Sequence, residues 1–284
     1  MAQLPACAQV ARSEGPLPAV RAFCLGDFRL LVDGRALENC GTGKAGALLQ
    51  YLVNHANRAL PREQLIETLW PNPDADAAGT SLRVAVHALR QLISGESKSN
   101  SLGVYAHAAG YQLTARRLWL DVDEFADLCT RGRHLLTAGH LSEAVNAYSR
   151  AVELYRGDFL EGATDSWAVV RREGLKDQFL FALERLAEAA LQAGAYEECL
   201  SFAQRLVEQD HCRESGYRIL MTCHAECGQR GRVRSWYELC VQTLRAELGV
   251  EPEEATTGLY YSLIGKVRRT VTNRHPINAK FTGE

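Results

Sequence analysis

Thr80-Ser81-Leu82-Arg83-Val84-Ala85-Val86-His87-Ala88-Leu89-Arg90-Gln91-Leu92-Ile93 is the stretch whose reading decides the fold. On a 3.6-residue period Leu82, Ala85, Val86, Leu89 and Ile93 share one face, while Thr80, Val84, His87 and Gln91 form the opposite stripe, flanked by Arg83 and Arg90. One face can bury against a core. The other offers hydroxyl, methyl, imidazole and guanidinium groups, which are the kinds that read base edges in a major groove. An ordinary amphipathic surface helix has the same spacing, so the neighbours decide. Upstream, Pro61 to Trp70 (PREQLIETLW) reads as a short helix opened by proline, with Leu65, Ile66 and Leu69 at helical spacing. Downstream, Gly103 to Leu113 (GVYAHAAGYQL) alternates and turns as a β-hairpin does. Helix, loop, exposed helix, hairpin is the order of a winged helix-turn-helix.

Working outward, Phe23 to Leu37 (FCLGDFRLLVDGRAL) is two apolar-rich runs joined by Asp33-Gly34, a strong hairpin signal, so a small N-terminal sheet is expected. Lys44 to Ala56 carries Leu48, Leu49, Leu52 and Val53 at helical spacing and supplies the first helix of a three-helix core.

At 284 residues, 46% hydrophobic and 23% charged, the chain has room for two globular domains. No apolar run approaches the ~20 residues that cross a bilayer. The first residues lack the cationic and apolar regions of a secretory signal, and residues 1–20 are expected to be a disordered leader. The net charge of -2 hides an asymmetry. Residues 21–120 hold 11 Lys and Arg against 8 Asp and Glu, residues 121–265 hold 15 against 24, and the tail from Lys266 holds 5 against 1. A polyanion therefore belongs with the N-terminal half, helped by the basic tail, and not with the acidic half.

Several chemistries find no support. Gly41-Thr42-Gly43-Lys44 lacks phosphate-loop spacing, and Ala45 stands where Ser or Thr must hold magnesium. Nine cysteines without framework spacing fit reduced thiols. His211-Cys212, Cys223-His224 and Cys227 form the one suggestive cluster, but no CxxC pair accompanies them, and they are read as packed helix residues. No nucleophile is paired with a base, so neither catalysis nor a cofactor is expected.

The second half is helical and repetitive. Leu136-Thr137-Ala138-Gly139, Gln192-Ala193-Gly194 and Glu226-Cys227-Gly228 resemble one another, as do Ala147-Tyr148, Phe202-Ala203 and Trp236-Tyr237 beyond them. Gly194 and Gly228 are 34 residues apart, the tetratricopeptide period, whereas Gly139 to Gly194 is 55 and needs an insertion that includes Gly157 to Trp167. The fold class is therefore mainly α with a small β component.

Phe28 to Gly34, Leu48 to Trp70, Ser81 to Arg90 and Gly110-Tyr111 together resemble the DNA-binding domain of the Streptomyces antibiotic regulatory proteins, whose winged helix is similar to that of OmpR-type response regulators. The resemblance runs from Phe23 to Ile264 and takes in the bacterial transcriptional activation domain that follows the winged helix in such regulators. It implies a winged helix over 21–117, a tetratricopeptide-like activation domain over 121–265 and a basic tail over 266–284. It also implies that Thr80, Ser81, Arg83, Val84, His87, Arg90 and Gln91 face DNA, with Lys44, Arg62, His107 and Tyr111 around them. Arg90 corresponds to a cation near phosphate, and His107 stands where the wing commonly carries an arginine. Asp74 and Asp76, in a loop read over Pro71 to Gly79, would meet σ region 4 of RNA polymerase. The chain departs from the pattern at Ala88, His107 and Gln112, where three cations are missing; fewer phosphate contacts mean weaker non-specific affinity and a shallower salt slope.

The function expected is a cytoplasmic, nucleoid-associated activator that binds promoter DNA at direct repeats as a head-to-tail dimer, recruits polymerase and governs a secondary-metabolite gene cluster. A helical protein-interaction adaptor with a weak DNA module is the alternative; heparin retention by residues 21–120 separates the two.

Overall fold

The computed structural model describes residues 18–71, 75–96, 100–108 and 110–271, the side chains of 75, 76, 95, 96 and 266–271 excepted. The leader expected over residues 1–20 lies outside the described residues over 1–17, but its end is ordered structure, since Val20 is buried in the first strand; the tail lies outside them over 272–284, and residues 266–271 continue the last helix. The chain divides into two compact units. One comprises residues through Phe125 together with Leu154–Gly174, and the other Ala126–Glu153 with Leu175 onward.

The N-terminal unit opens with β1 (Val20–Phe23), β2 (Arg29–Val32) and β3 (Arg35–Ala36), which join β7 (Leu118–Leu120) in a sheet ordered β3-β2-β1-β7. Asp33 (φ 49°) and Gly34 (φ 82°) are both left-handed between β2 and β3, the two-residue turn that matches strand twist. Val20, Ala22, Leu30 and Val32 point inward from the antiparallel β1–β2 pair, and β7 runs parallel to β1. Three helices follow: α1 (Gly43–Val53), α2 (Arg62–Leu69) and α3 (Ala75–Glu96). Their shared core holds Leu48, Leu49, Leu52, Leu65, Leu69, Leu82 and Leu89, all fully buried. The wing is β5 (Leu102–His107) paired with β6 (Gly110–Ala115), which also takes β4 (Leu60–Pro61). At Gly110 a Cβ would overlap the Leu60 carbonyl, so the β4–β6 approach demands glycine there.

One sequence expectation changes here. Ala75 to Gly79 is not loop but the first turns of α3. Alanine is the best helix former, and fully buried Ala78 gives those turns a packing reason to form. The insertion around Gly157 to Trp167 lies between the helices Leu141–Leu154 and Ser166–Gln192 and packs within the N-terminal unit. Leu160 N–H donates to the Cys24 carbonyl (2.7 Å) and Gly26 N–H to that of Asp158 (2.9 Å), while Leu25 and Phe159 form a bridge. Phe159 is fully buried, and Trp167 sits edge-on to Tyr51 (5.0 Å) and to Phe159 (5.9 Å). Arg172 donates to the carbonyls of Phe159, Leu160 and Ala163, and Arg171 to Asn54 and Asp123. Three carbonyls in a bent connector thus find their partner in one guanidinium.

In the same unit Asp121, the first residue of α4 (Asp121–Thr137), accepts from the backbone N–H groups of Cys24 (2.7 Å) and Leu25 (3.0 Å). Burial holds its carboxyl above the ordinary carboxylate range, opposed by those N–H bonds.

The second unit takes α4 from Ala126, α5 (Leu141–Leu154), α6 (Ser166–Gln192) from Leu175, α7 (Tyr196–Gln209), α8 (Glu214–Glu226), α9 (Arg230–Glu247) and α10 (Glu254–Val271). The three similar segments ending in glycine become three helix ends of one kind. Gly139, Gly194 and Gly228 all have φ between 72° and 83°. In each case the next residue's N–H reaches back five positions, His140 to Leu135, Ala195 to Ala190 and Gln229 to His224. Gly132 plays a different part: a Cβ there would stand 2.6 Å from the Tyr148 ring, so α4 and α5 close only over a hydrogen. Cys199, Ala203, Leu220, Cys223 and Cys240 fill the core. The Cys212 thiol donates to Glu247 and the Cys223 thiol to the Tyr196 carbonyl, and no three His, Cys, Asp or Glu converge among the described residues.

Candidate nucleic-acid interface

α3 has the two faces its spacing predicts. Leu82, Ala85, Val86, Leu89 and Ile93 are buried, and Thr80, Ser81, Arg83, Val84, His87 and Gln91 are exposed. The outward side chains are partly ordered by the helix itself. Ser81 Oγ donates to the Ala77 carbonyl (2.9 Å), and Arg83 Nε donates to that of Gly79 (3.2 Å), which lays the guanidinium toward the helix N-terminus. The Gln91 amide N–H meets His87 Nε2 at 3.0 Å, making that ring nitrogen the acceptor in this pair. Val84 has no such partner chemistry, and it is 64% exposed.

The wing stands beside this face because Arg90 binds it there. Arg90 Nε donates to the Val104 carbonyl in β5 (2.9 Å). The residue expected at phosphate is therefore also a strut between α3 and β5. On β5, His107 is exposed, and Tyr105 is 52% exposed with its ring lying over Gly103, where a Cβ would stand 2.9 Å from it. Tyr105 was not among the residues expected at DNA, yet alternation along β5 places it outward.

Other expected residues have different surroundings. Lys44 Nζ donates to the Leu69 carbonyl (2.6 Å) and lies over the Trp70 ring (5.5 Å), so its charge sits at the C-terminus of α2, where carbonyls are unpaired. The side chain remains exposed beside that partner, with further N–H donors free of the Leu69 carbonyl. Tyr111 is 9% exposed and pairs with Leu60 across β4–β6; its ring belongs to the core and not to a surface. Arg62 is half-buried at the start of α2. Asp74 lies outside the described residues, and Asp76 is in the first turn of α3.

Residues 120–264 match the bacterial transcriptional activator domain family, and residues 39–113 match the family described as transcriptional regulatory protein, C terminal. The chain is 26% identical to the transcriptional regulatory protein MoaR1 of Mycobacterium tuberculosis over 87% of its own length and 79% of that protein's. It is 27% identical to the regulatory protein AfsR of Streptomyces coelicolor over 82% of its length, which spans 23% of AfsR. Among solved structures, Mycobacterium tuberculosis EmbR, in complex with a low-affinity phosphopeptide, superposes with a TM-score of 0.71 at 24% identity, over 88% of this chain and 66% of that one. That likeness bears on the fold: a winged N-terminal unit and a helical repeat unit in the same order. Among the described residues no helix is long and apolar enough to cross a membrane.

Proposed function

The chain belongs to the Streptomyces antibiotic regulatory protein family of transcriptional regulators, with a DNA-binding and an activation domain, and from that premise we propose a sequence-specific activator whose α3 enters the major groove of promoter DNA. The observation that carries this reading is the outward stripe of Thr80, Val84, His87 and Gln91 on a helix whose inward face is buried among leucines. Two protomers lie head to tail on direct repeats about one helical turn (~10 bp) apart. The protein works in the cytoplasm on the nucleoid, and its targets are promoters of a secondary-metabolite cluster. The helical unit supports contacts with polymerase.

His87 lies on the stripe beside Val84, so His87→Ala should cost about 1–3 kcal/mol on operator, little on random DNA, and leave the salt slope unchanged. Fluorescence anisotropy with operator and scrambled duplexes at several salt concentrations tests this. Equal losses on both duplexes would mean that α3 is not inserted in the groove. For the polymerase contact, changing Asp74 and Asp76 together to alanine should leave operator affinity intact while in vitro transcript yield falls. Parallel losses in both assays would remove the polymerase role.

A further inference from the structure

Val84 is the residue of α3 that neither folding nor helix propensity explains. It is 64% exposed, so it contributes little to the core, and valine is a poorer helix former than the glutamine or arginine found elsewhere on the same face. It stands between Thr80 and His87, with polar groups on both sides. Arg83 is held back on the Gly79 carbonyl, a turn toward the helix N-terminus. What the centre of the stripe presents to a groove is therefore two methyl groups, held by a branched side chain with restricted χ1.

We propose that Val84 selects a thymine in each half-site by packing its methyls on the C5-methyl group, an inference that rests on the placement of α3 in the major groove. The chemistry of the groove admits little else. Guanine N7 and O6, adenine N7 and N6, and cytosine N4 are donors or acceptors that an isopropyl group would strip of water without replacing the bond, at a cost. The thymine methyl is the apolar group on any base edge there, and covering it removes apolar surface of both partners from water. The flanking Thr80 and the His87–Gln91 pair, with their hydrogen-bonding atoms, fix which step of the duplex Val84 meets.

The test separates the methyl from everything else about DNA binding. Duplexes enriched from a random pool by the full chain are resynthesised with each thymidine replaced in turn by deoxyuridine, which deletes the methyl group alone. One position per half-site should weaken the wild-type protein about fourfold, the worth of one buried methyl. At that position Val84→Ser should bind the thymidine and deoxyuridine duplexes equally, and Val84→Ile should keep the preference; both sit at an exposed site and fold normally. Enriched duplexes that bind tightly while no deoxyuridine replacement matters, or a Val84→Ser protein with the wild-type preference, overturn the thymine inference and leave DNA binding standing. Failure to enrich any duplex defeats the DNA-binding reading and this inference with it.

Discussion

Replacing Phe159 with alanine is expected to destabilise the N-terminal unit by about 3–5 kcal/mol and to weaken DNA binding with it, although the residue lies beyond both the winged helix and the first helical hairpin in sequence. The ring is fully buried, touches the Trp167 ring and sits on the backbone bridge to Leu25, so its loss leaves a cavity beside Trp167 rather than a surface gap. Urea unfolding of the full chain, followed in parallel with DNA binding, measures both effects, and Val170→Ala, at a 74% exposed position on α6, is the control that should change stability by no more than about 0.5 kcal/mol. The same packing bears on residues 21–120 taken alone. Such a fragment lacks Phe159, Trp167, Arg171 and Arg172 and should be unstable, so the heparin comparison needs the connector included. A fragment ending at Leu120 with the stability of the full unit would show that the connector is dispensable.

Asp121→Ala should cost about 2–6 kcal/mol, since it leaves the buried N–H groups of Cys24 and Leu25 without an acceptor at about 1–3 kcal/mol each. The wild-type group also carries a pH signature. Burial raises its folded pKa, so its ionisation is harder in the folded chain than in the unfolded one. Its contribution to stability is therefore fullest below the unfolded value of about 3.9 and declines as pH rises through the raised folded value. Asp121→Asn cannot ionise and keeps one acceptor of two. Its stability deficit relative to wild type should be largest at acid pH and narrow as pH rises, which thermal melts of the two proteins across the acid range would record. A deficit that widens with pH would show that the N–H bonds, and not burial, dominate the carboxyl.

What the sequence shows clearly is what repeats locally. Asp33-Gly34 announces a turn with both residues left-handed, the leucines of α1 to α3 announce helices, and three glycines mark three helix ends with the same backbone bonds. The two-residue β4 and three-residue β7 are too short to carry an alternation and exist because their partners, β6 and β1, are already in place. Site residues divide along the same line. Exposure of Thr80, Val84 and His87 follows from helical period alone. Lys44, Arg90 and Tyr111 were of the right type for DNA, but what each meets is decided across the fold: Lys44 bonds a carbonyl 25 residues away, Arg90 a carbonyl 14 residues away, and Tyr111 pairs with a strand no periodicity reveals. The placement of the connector is of the same kind, since Phe159 reads as an ordinary helical-half aromatic until Leu25 is known to lie beside it.

The N-terminal unit is assembled from two stretches of chain, and a ribosome delivers them at different times. Residues through Phe125 emerge first, and the stretch Leu154–Gly174 follows only after Ala126–Glu153 has been made, an interval of about a few seconds at ordinary elongation rates. Throughout it the backbone at Cys24 to Gly26 and the ring of Tyr51 await partners that have not yet been synthesised. A nascent or prematurely terminated chain therefore presents an open seam to chaperones and proteases. Truncated products should be cleared before they can occupy promoters without activating them, which couples possession of a working DNA reader to translation well into the segment that follows it.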